Sequence, residues 1–413
     1  MGEGMTAKRD ERGYTLVELI VVMAIFVVVI MLVGQSFNVV LTQAAKLFKS
    51  EESNIDGMVG LEMLRHDLNQ AGYGLFTEPA AAAYSGEAAA GTSVFLNDPF
   101  TGPPRPVVAL ERSAAGCSSA SGQPDDQGYA LVPCSDYLAL KGTTLGMSPA
   151  AQRWTYLNIS DHSATPNVWP SAAENPRQGD SVVLVNRMVS ASANSTTLVP
   201  TSSGGFYHQF GSAAFNGYTS LTGSTVNAYG VDSQPLRMPF NRADYFVAKP
   251  PQASQMSAAC APGTGVLYKA TVNQSDGRLT YISLLDCVAG MQVVLGWDTN
   301  ADGVIDTWSN ADGSVVSGTA AVSDIQQALS PAGNAGASNG LSIRNSLKMV
   351  KLYVLAQNGR KDPNYNSPSP ILAGDTGEES LTYPYDIVAA GWQNYRWRLY
   401  RLVATPKNLD VNQ

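Results

Sequence analysis

The first sustained pattern along the chain is an apolar run from Leu16 to Gly34, LVELIVVMAIFVVVIMLVG, interrupted by one charged residue, Glu18. Its 19 residues make about 28 Å of helix, close to the roughly 30 Å hydrocarbon core of a bilayer. A secretory signal has a shorter apolar region followed by a small-residue cleavage site, and no such site follows here. The run therefore predicts a membrane-spanning helix. After Gly34 the pattern turns amphipathic. Phe37, Leu41, Ala44, Phe48, Ile55, Met58, Leu61, Leu64 and Leu68 recur at three- and four-residue steps, with one turn missed at Glu51 and Glu52. Proline is absent from 15–70, so one helix of about 55 residues, roughly 80 Å, is expected. Gly57 and Gly60 are the points where it would bend, and Ala71-Gly72-Tyr73-Gly74 reads as its stop.

Beyond residue 74 the periodicity changes to that of strands. Runs at Tyr137–Lys141, Ser181–Val185, Tyr245–Ala248, Val266–Val272, Leu279–Leu284, Met291–Gly296, Met349–Leu355 and Tyr395–Val403 are β-like. Gly, Ser, Ala and Asn dominate 83–93, 190–204, 211–226 and 312–340, which read as loops, and no repeat or domain linker stands out. The expected class is α+β, with a long N-terminal helix packed on a large, mainly antiparallel β head. Composition agrees: of 413 residues, 38 are Gly and 23 Pro, so the head is loop-rich. An apolar content of 44% excludes global disorder, and a net charge of −8 argues against the chain as a nucleic-acid binder. His66, His162 and His208 lie far apart in sequence, which gives little support to a histidine-based zinc or catalytic site.

A carboxylate at the edge of a membrane helix costs on the order of 2–3 kcal/mol, less where it can snorkel. Glu18 is therefore informative, and so are its neighbours. The string Arg12-Gly13-Tyr14-Thr15-Leu16-Val17-Glu18, followed by an uninterrupted apolar run, resembles the processing site of type IV prepilins. The resemblance implies a leader 1–13, cleavage after Gly13 by the prepilin peptidase and methylation of Tyr14. A helix 14–74 would follow, spanning the membrane at 14–34 and amphipathic over 35–72, then a periplasmic or extracellular head 75–413. Cleavage ahead of the apolar segment leaves it attached and creates a cationic amine at Tyr14. Among packed apolar helices a buried carboxylate needs a cation, and the amine of a neighbouring subunit would supply it. Glu18 would then set the register between subunits. Lys8, Arg9 and Arg12 are balanced by Glu3, Asp10 and Glu11, but a start at Met5 leaves one excess cation. The positive-inside rule then places the N-terminus in the cytoplasm.

Leu61–Gly74, the Asp-rich loop near 298 and the segments Val350–Asn358 and Asn394–Asn408 are similar to PilW-type minor pilins, and more distantly to the minor pseudopilins of type II secretion. This implies a low-abundance fimbrial subunit. Its partners would be other major and minor pilins, the prepilin peptidase and methylase, and the inner-membrane assembly platform. A pilus-tip adhesin or DNA-binding module is the alternative of another class.

Four constellations bear on chemistry. Asp298, Asn300, Asp302, Gly303, Val304 and Asp306 match positions 1, 3, 5, 6, 7 and 9 of a calcium loop, Val304 offering its carbonyl. Position 12 is Ser309 where a bidentate Glu is usual, and a strand-like run precedes the loop. Calcium is the implied cofactor, with a plain Asx/Gly turn as the other reading. Cys117, Cys134, Cys260 and Cys287 all follow the membrane segment. Proximity favours Cys117–Cys134 and Cys260–Cys287 disulfides in an oxidising compartment, and no C-x-x-C spacing favours zinc. Gly336-Ala-Ser338-Asn-Gly340 matches a hydrolase elbow but lacks the strand before it, so no catalytic set emerges and no enzyme is expected. Arg396-Trp397-Arg398-Leu399-Tyr400-Arg401 interleaves basic and aromatic residues; nucleic acid is conceivable there, but a half-buried strand gives the same alternation.

Overall fold

The computed structural model describes residues 15–80, 82–100, 102–111, 122–160, 163–189, 194–212, 225–331, 341–368, 372–373, 381–382 and 391–409, with the side chains of helical residues 38–57 outside that description. The chain divides into two compact units, Met1–Ser53 and Asn54–Gln413.

One α-helix, Leu16–Gln70, runs without interruption. The Thr15 hydroxyl accepts the Glu18 N–H at 3.3 Å, which satisfies one of the free donors of the first turn. Gly72 and Gly74 then take left-handed backbone (φ 88° and 70°) and stop the helix, and the Gly72 N–H donates to the Lys141 carbonyl at 2.8 Å. In the first unit the segment Leu16–Phe37 is long and apolar enough to cross a membrane, and none of it is buried. In the second unit the helix buries Leu61, Leu64, Leu68 and Ala71 in the core of the head. Met58 and Phe37 of the expected stripe are exposed. Gly60 is no hinge in this structure. It lies inside the helix with the head's backbone against it, and a Cβ there would overlap the Leu284 carbonyl.

Two large antiparallel sheets dominate the described part of the head, beside a two-stranded pair of Leu372–Ala373 with Leu381–Thr382. The larger orders Val107–Leu110, Tyr137–Gly142, Asn241–Lys249, Gly265–Val272, Leu279–Trp297, Thr307–Asn310 and Val315–Gly318. Leu347–Asn358 also pairs with Leu279–Trp297 and carries Arg396–Ala404 on its other edge. The smaller orders Ser163–Pro166, Trp154–Ser160, Thr225–Asp232, Ser181–Val189 and Asn194–Leu198. The larger sheet is covered on both faces, and the two-residue period of a strand shows it. Ala243, Tyr245 and Val247 pack with helix residues Leu61, Leu64 and Leu68. Phe246 and Ala248, pointing the other way, pack with Val183, Val185 and Val231.

The runs expected separately at 279–284 and 291–296 are one strand of 19 residues. Asp286-Cys287 looks like a break in sequence. The chain instead absorbs it as a bulge: pairing to Gly265–Val272 shifts register there, and Cys287 takes a left-handed φ of 55°. Cys287 is disulfide-bonded to Cys260, with the Cα atoms 4.9 Å apart. The stretch 312–340, read as loop, contains the strand Val315–Gly318 and the helix Val322–Leu329, whose Ile325 and Ala328 are buried.

A charged network lies within the head on the face of the larger sheet turned away from the helix. Lys141 and Arg242 are direct cross-strand partners on that face, an arrangement that destabilises a sheet when nothing neutralises it. Glu87 separates them, one oxygen 2.8 Å from Lys141 Nζ and the other 2.8 Å from Arg242 Nη1. Asp98 takes Lys141 at 2.6 Å and Arg105 at 2.5 Å, and Asp244 takes Arg242 at 2.7 Å. Three buried cations thus meet three buried carboxylates.

Candidate functional site

The N-terminal segment is the part of the chain with a distinctive chemical arrangement. Gly13 and Tyr14 lie outside the described residues. From Thr15 onward the geometry is that of a capped helix start. Glu18 occupies the third helical position, where its negative charge faces the positive end of the helix dipole. Its neighbours Leu16, Val17, Leu19, Ile20, Val21 and Val22 are between 51% and 77% exposed. A lone carboxylate thus sits in an unburied apolar surface, which is what a helix needs if its partners lie on other chains. The Thr15 cap carries its usual sequence signature, a Thr followed three residues later by Glu.

Residues 8–34 match the family described as the prokaryotic N-terminal methylation motif. That match covers the cationic flank, Gly13, Tyr14, Glu18 and the apolar run together. It supports a type IV pilin- or pseudopilin-type subunit, processed by a prepilin peptidase and assembling with other pilins, in agreement with the apolar helix as a membrane anchor. No curated protein and no solved structure matches the chain.

The other sequence-derived sites fall as follows. In the 298–306 loop the Asp298 side chain is buried and accepts the N–H groups of Asp302 at 3.2 Å and Gly303 at 2.9 Å. Asp302 accepts from Val304 N–H at 2.8 Å and Asn300 Nδ2 at 3.0 Å. Asp306 accepts from Thr299 N–H and from the hydroxyls of Thr299 and Thr307. Burial pushes the Asp306 carboxyl up, but these donors outweigh it and hold its pKa below the usual carboxylate range. The loop's oxygens are engaged by its own donors. Among the described residues no group of three or more His, Cys, Asp or Glu side chains stands together as a metal-binding set.

Cys134 is disulfide-bonded, and Cys117, its expected partner, lies outside the described residues. Gly336–Gly340 and His162 also lie outside them. His66 is exposed beside Asp67, and His208 is buried in the smaller sheet, far along the chain from it. Arg396–Ala404 is the strand expected, with Arg396 and Arg398 exposed and Trp397 half-buried. Arg396 pairs with Asp362 at 3.2 Å and lies over Tyr365, while Trp397 packs 4.8 Å from Trp392.

The helix pattern itself marks one anchoring contact. Asp67 falls on the core side of the stripe Leu61, Leu64, Leu68, Ala71, an odd place for a carboxylate. It is buried, paired with Lys269 and hydrogen-bonded by the Tyr245 hydroxyl. Burial first and the Asp67 charge second raise the Tyr245 pKa far above that of a free phenol.

Proposed function

We propose that this chain is a minor type IV pilin, a structural subunit rather than an enzyme. The observation that carries the reading is the join of a prepilin N-terminus, with one carboxylate in an unburied apolar helix, to a large disulfide-bonded β head. The peptidase cuts after Gly13, Tyr14 is methylated, and the helix packs laterally with other major and minor pilins at the inner-membrane assembly platform. Glu18 of one subunit pairs with the Tyr14 amine of the next. The disulfide supports a head in an oxidising compartment. In this reading the N-terminus is cytoplasmic before assembly, as the positive-inside rule expects, and the subunit lies on the pilus surface after it.

The test has two parts. Mass spectrometry of sheared filaments is expected to recover a chain starting at methylated Tyr14; an intact leader would remove the reading. Glu18→Ala is expected to insert into the membrane at the wild-type level yet fall at least about tenfold in filaments, a loss of 1.4 kcal/mol or more in assembly. A type II secretion pseudopilin would share both outcomes. Deleting the chain separates the two, since loss of surface pili with intact secretion supports the pilus subunit.

We also propose calcium as the cation of the 298–306 loop, from the oxygen side chains at Asp298, Asn300, Asp302 and Asp306 and the Val304 carbonyl. Calcium would have to draw the carboxylates away from donors that already close the turn. EDTA is therefore expected to move the Tm by no more than about 2 °C. Calorimetry at millimolar calcium should give heat that Asp298→Ala removes, and absence of heat would leave a plain hairpin turn.

A further inference from the structure

Lys141, Asp98 and Glu87 stand together inside the head with no part of their side chains open to solvent. Lys141 Nζ lies 2.6 Å from Asp98 Oδ2 and 2.8 Å from Glu87 Oε1, and it donates to the Leu96 carbonyl at 3.0 Å. The Phe240 ring centre is 5.8 Å from the same nitrogen. An amine, a carboxyl group and a second carboxylate held in contact away from water are the two reactants and the proton carrier of an amide-forming condensation.

Three features of the geometry favour that step. Glu87 and Leu96 take two of the donor directions of Nζ, so the third is aimed at Asp98. Asp98 is clamped, with Oδ1 accepting from Arg105 Nε at 2.5 Å and Oδ2 from the Arg105 backbone N–H at 2.7 Å. The guanidinium thus faces the oxygen on which negative charge develops when a nucleophile adds to Cγ. Glu87 is fixed as well: Oε1 accepts the Asp98 N–H at 2.9 Å, and Oε2 accepts from Arg242 at 2.8 Å.

We propose that Lys141 and Asp98 join through an intramolecular amide bond, with Glu87 as the catalytic base. Burial pushes the Asp98 carboxyl up, but Lys141 and Arg105 outweigh it, so the pair rests as ammonium and carboxylate. Lys141 first passes one proton across the 2.6 Å contact to Oδ2, which leaves a neutral amine and a carboxylic acid in a site that penalises charge. The Nζ lone pair adds to Cγ, and the charge moves to Oδ1 beside Arg105. Glu87 accepts a second proton from Nζ and delivers it to Oδ2. The Cγ–Oδ2 bond breaks, Oδ2 leaves as water, and the Cγ–Oδ1 double bond re-forms. One ammonium and one carboxylate become one amide and one water, and Glu87 ends as it began. Arg105 and Arg242 remain with Glu87 and Asp244, so two cations still meet two carboxylates. The bond links positions 43 residues apart, and unlike a disulfide it does not open to reductants.

Lys269 and Asp67 supply an internal comparison. They lie 2.5 Å apart, but among the described residues no second carboxylate forms an ion pair with Lys269. That pair has no base and stays ionic. The proposed bond depends on the head alone and is independent of the pilin reading.

The test uses the purified full-length chain, held at growth temperature until its mass is constant and then reduced. Intact mass spectrometry is expected to find it lighter than its sequence by one water. Tandem spectra of a protease digest are expected to contain a branched peptide joining Asp98 to Lys141. Asp98→Asn should still branch, with ammonia leaving in place of water, and Lys141→Met should not branch. Glu87→Gln, in material that keeps the wild-type circular dichroism, should form the branched peptide at least about a hundredfold more slowly. The wild-type digest decides the bond without any variant: only linear peptides across Asp98 and Lys141 would overturn it. A branch at Asp67–Lys269 of equal yield, or unchanged branching in Glu87→Gln, would overturn the role of Glu87.

Discussion

Glu87 shows how one side chain can decide whether a sheet register is tolerable. The pairing that sets Arg242 opposite Lys141 brings two buried cations face to face, and Glu87 bridges both. Removing one partner of a buried ion pair leaves an uncompensated charge, which costs about 3–5 kcal/mol, whereas replacing the whole set with apolar groups can be neutral. Glu87→Gln is therefore expected to lower unfolding free energy by about 3 kcal/mol or more in urea melts. Adding Lys141→Met to it should recover part of that loss. Nothing in the sequence marked this residue. Glu87 sits in an Ala- and Gly-rich stretch that reads as loop, and Arg242 is 155 positions away. Local pattern carries no information on which distant charge a loop carboxylate will meet.

At the scale of elements, the helix was legible almost to its ends, because unbroken apolar periodicity and paired glycines are local signals. What sequence could not supply was the reason for Gly60. It reads as a weak point in an isolated helix, and it is a close approach once the strand Leu279–Trp297 lies against it. Gly60→Val is accordingly expected to destabilise the head by about 1–3 kcal/mol through overpacking, even though it raises side-chain burial. The check is a thermal melt against Val59→Ala on the exposed side, which should lie within about 0.5 kcal/mol of wild type. The strand pattern was readable where β-branched, aromatic and other apolar residues form a dense run, as in Val266–Val272, which is buried throughout. Trp154–Ser160 and Thr225–Asp232 were missed because Asn, Thr and Gly dilute the alternation. Their strand state comes from pairing with each other, not from their composition.

The molecule as a whole should lose stability in acid. Asp98 is pushed up by burial, but Lys141 and then Arg105 outweigh that and leave its pKa below the usual range. Asp306 and Asp312 are lowered as well, their loop donors outweighing burial. Burial lowers the pKa of His208, favouring its neutral form. In every case the folded value lies below the unfolded one. The stabilisation is then complete above the unfolded pKa and is lost as pH falls through the folded one. Calorimetric Tm values are expected to hold near pH 7, to decline first below about pH 6.5 as His208 is forced to charge, and to fall more steeply below about pH 4. A Tm that rises on acidification would contradict the charge arrangement described here.

Leu409 shares its core with Leu68 and Ala71, and the Asn408 side chain donates to the Asn69 carbonyl at 3.1 Å. The first and last pieces of the head are therefore neighbours, separated by some 340 residues of chain. At synthesis rates of roughly 5–20 residues per second, the greasy side of the helix must wait on the order of tens of seconds for the segment that seals it. Throughout that interval the nascent chain presents an open hydrophobic seam, which only the arrival of Asn408 and Leu409 closes.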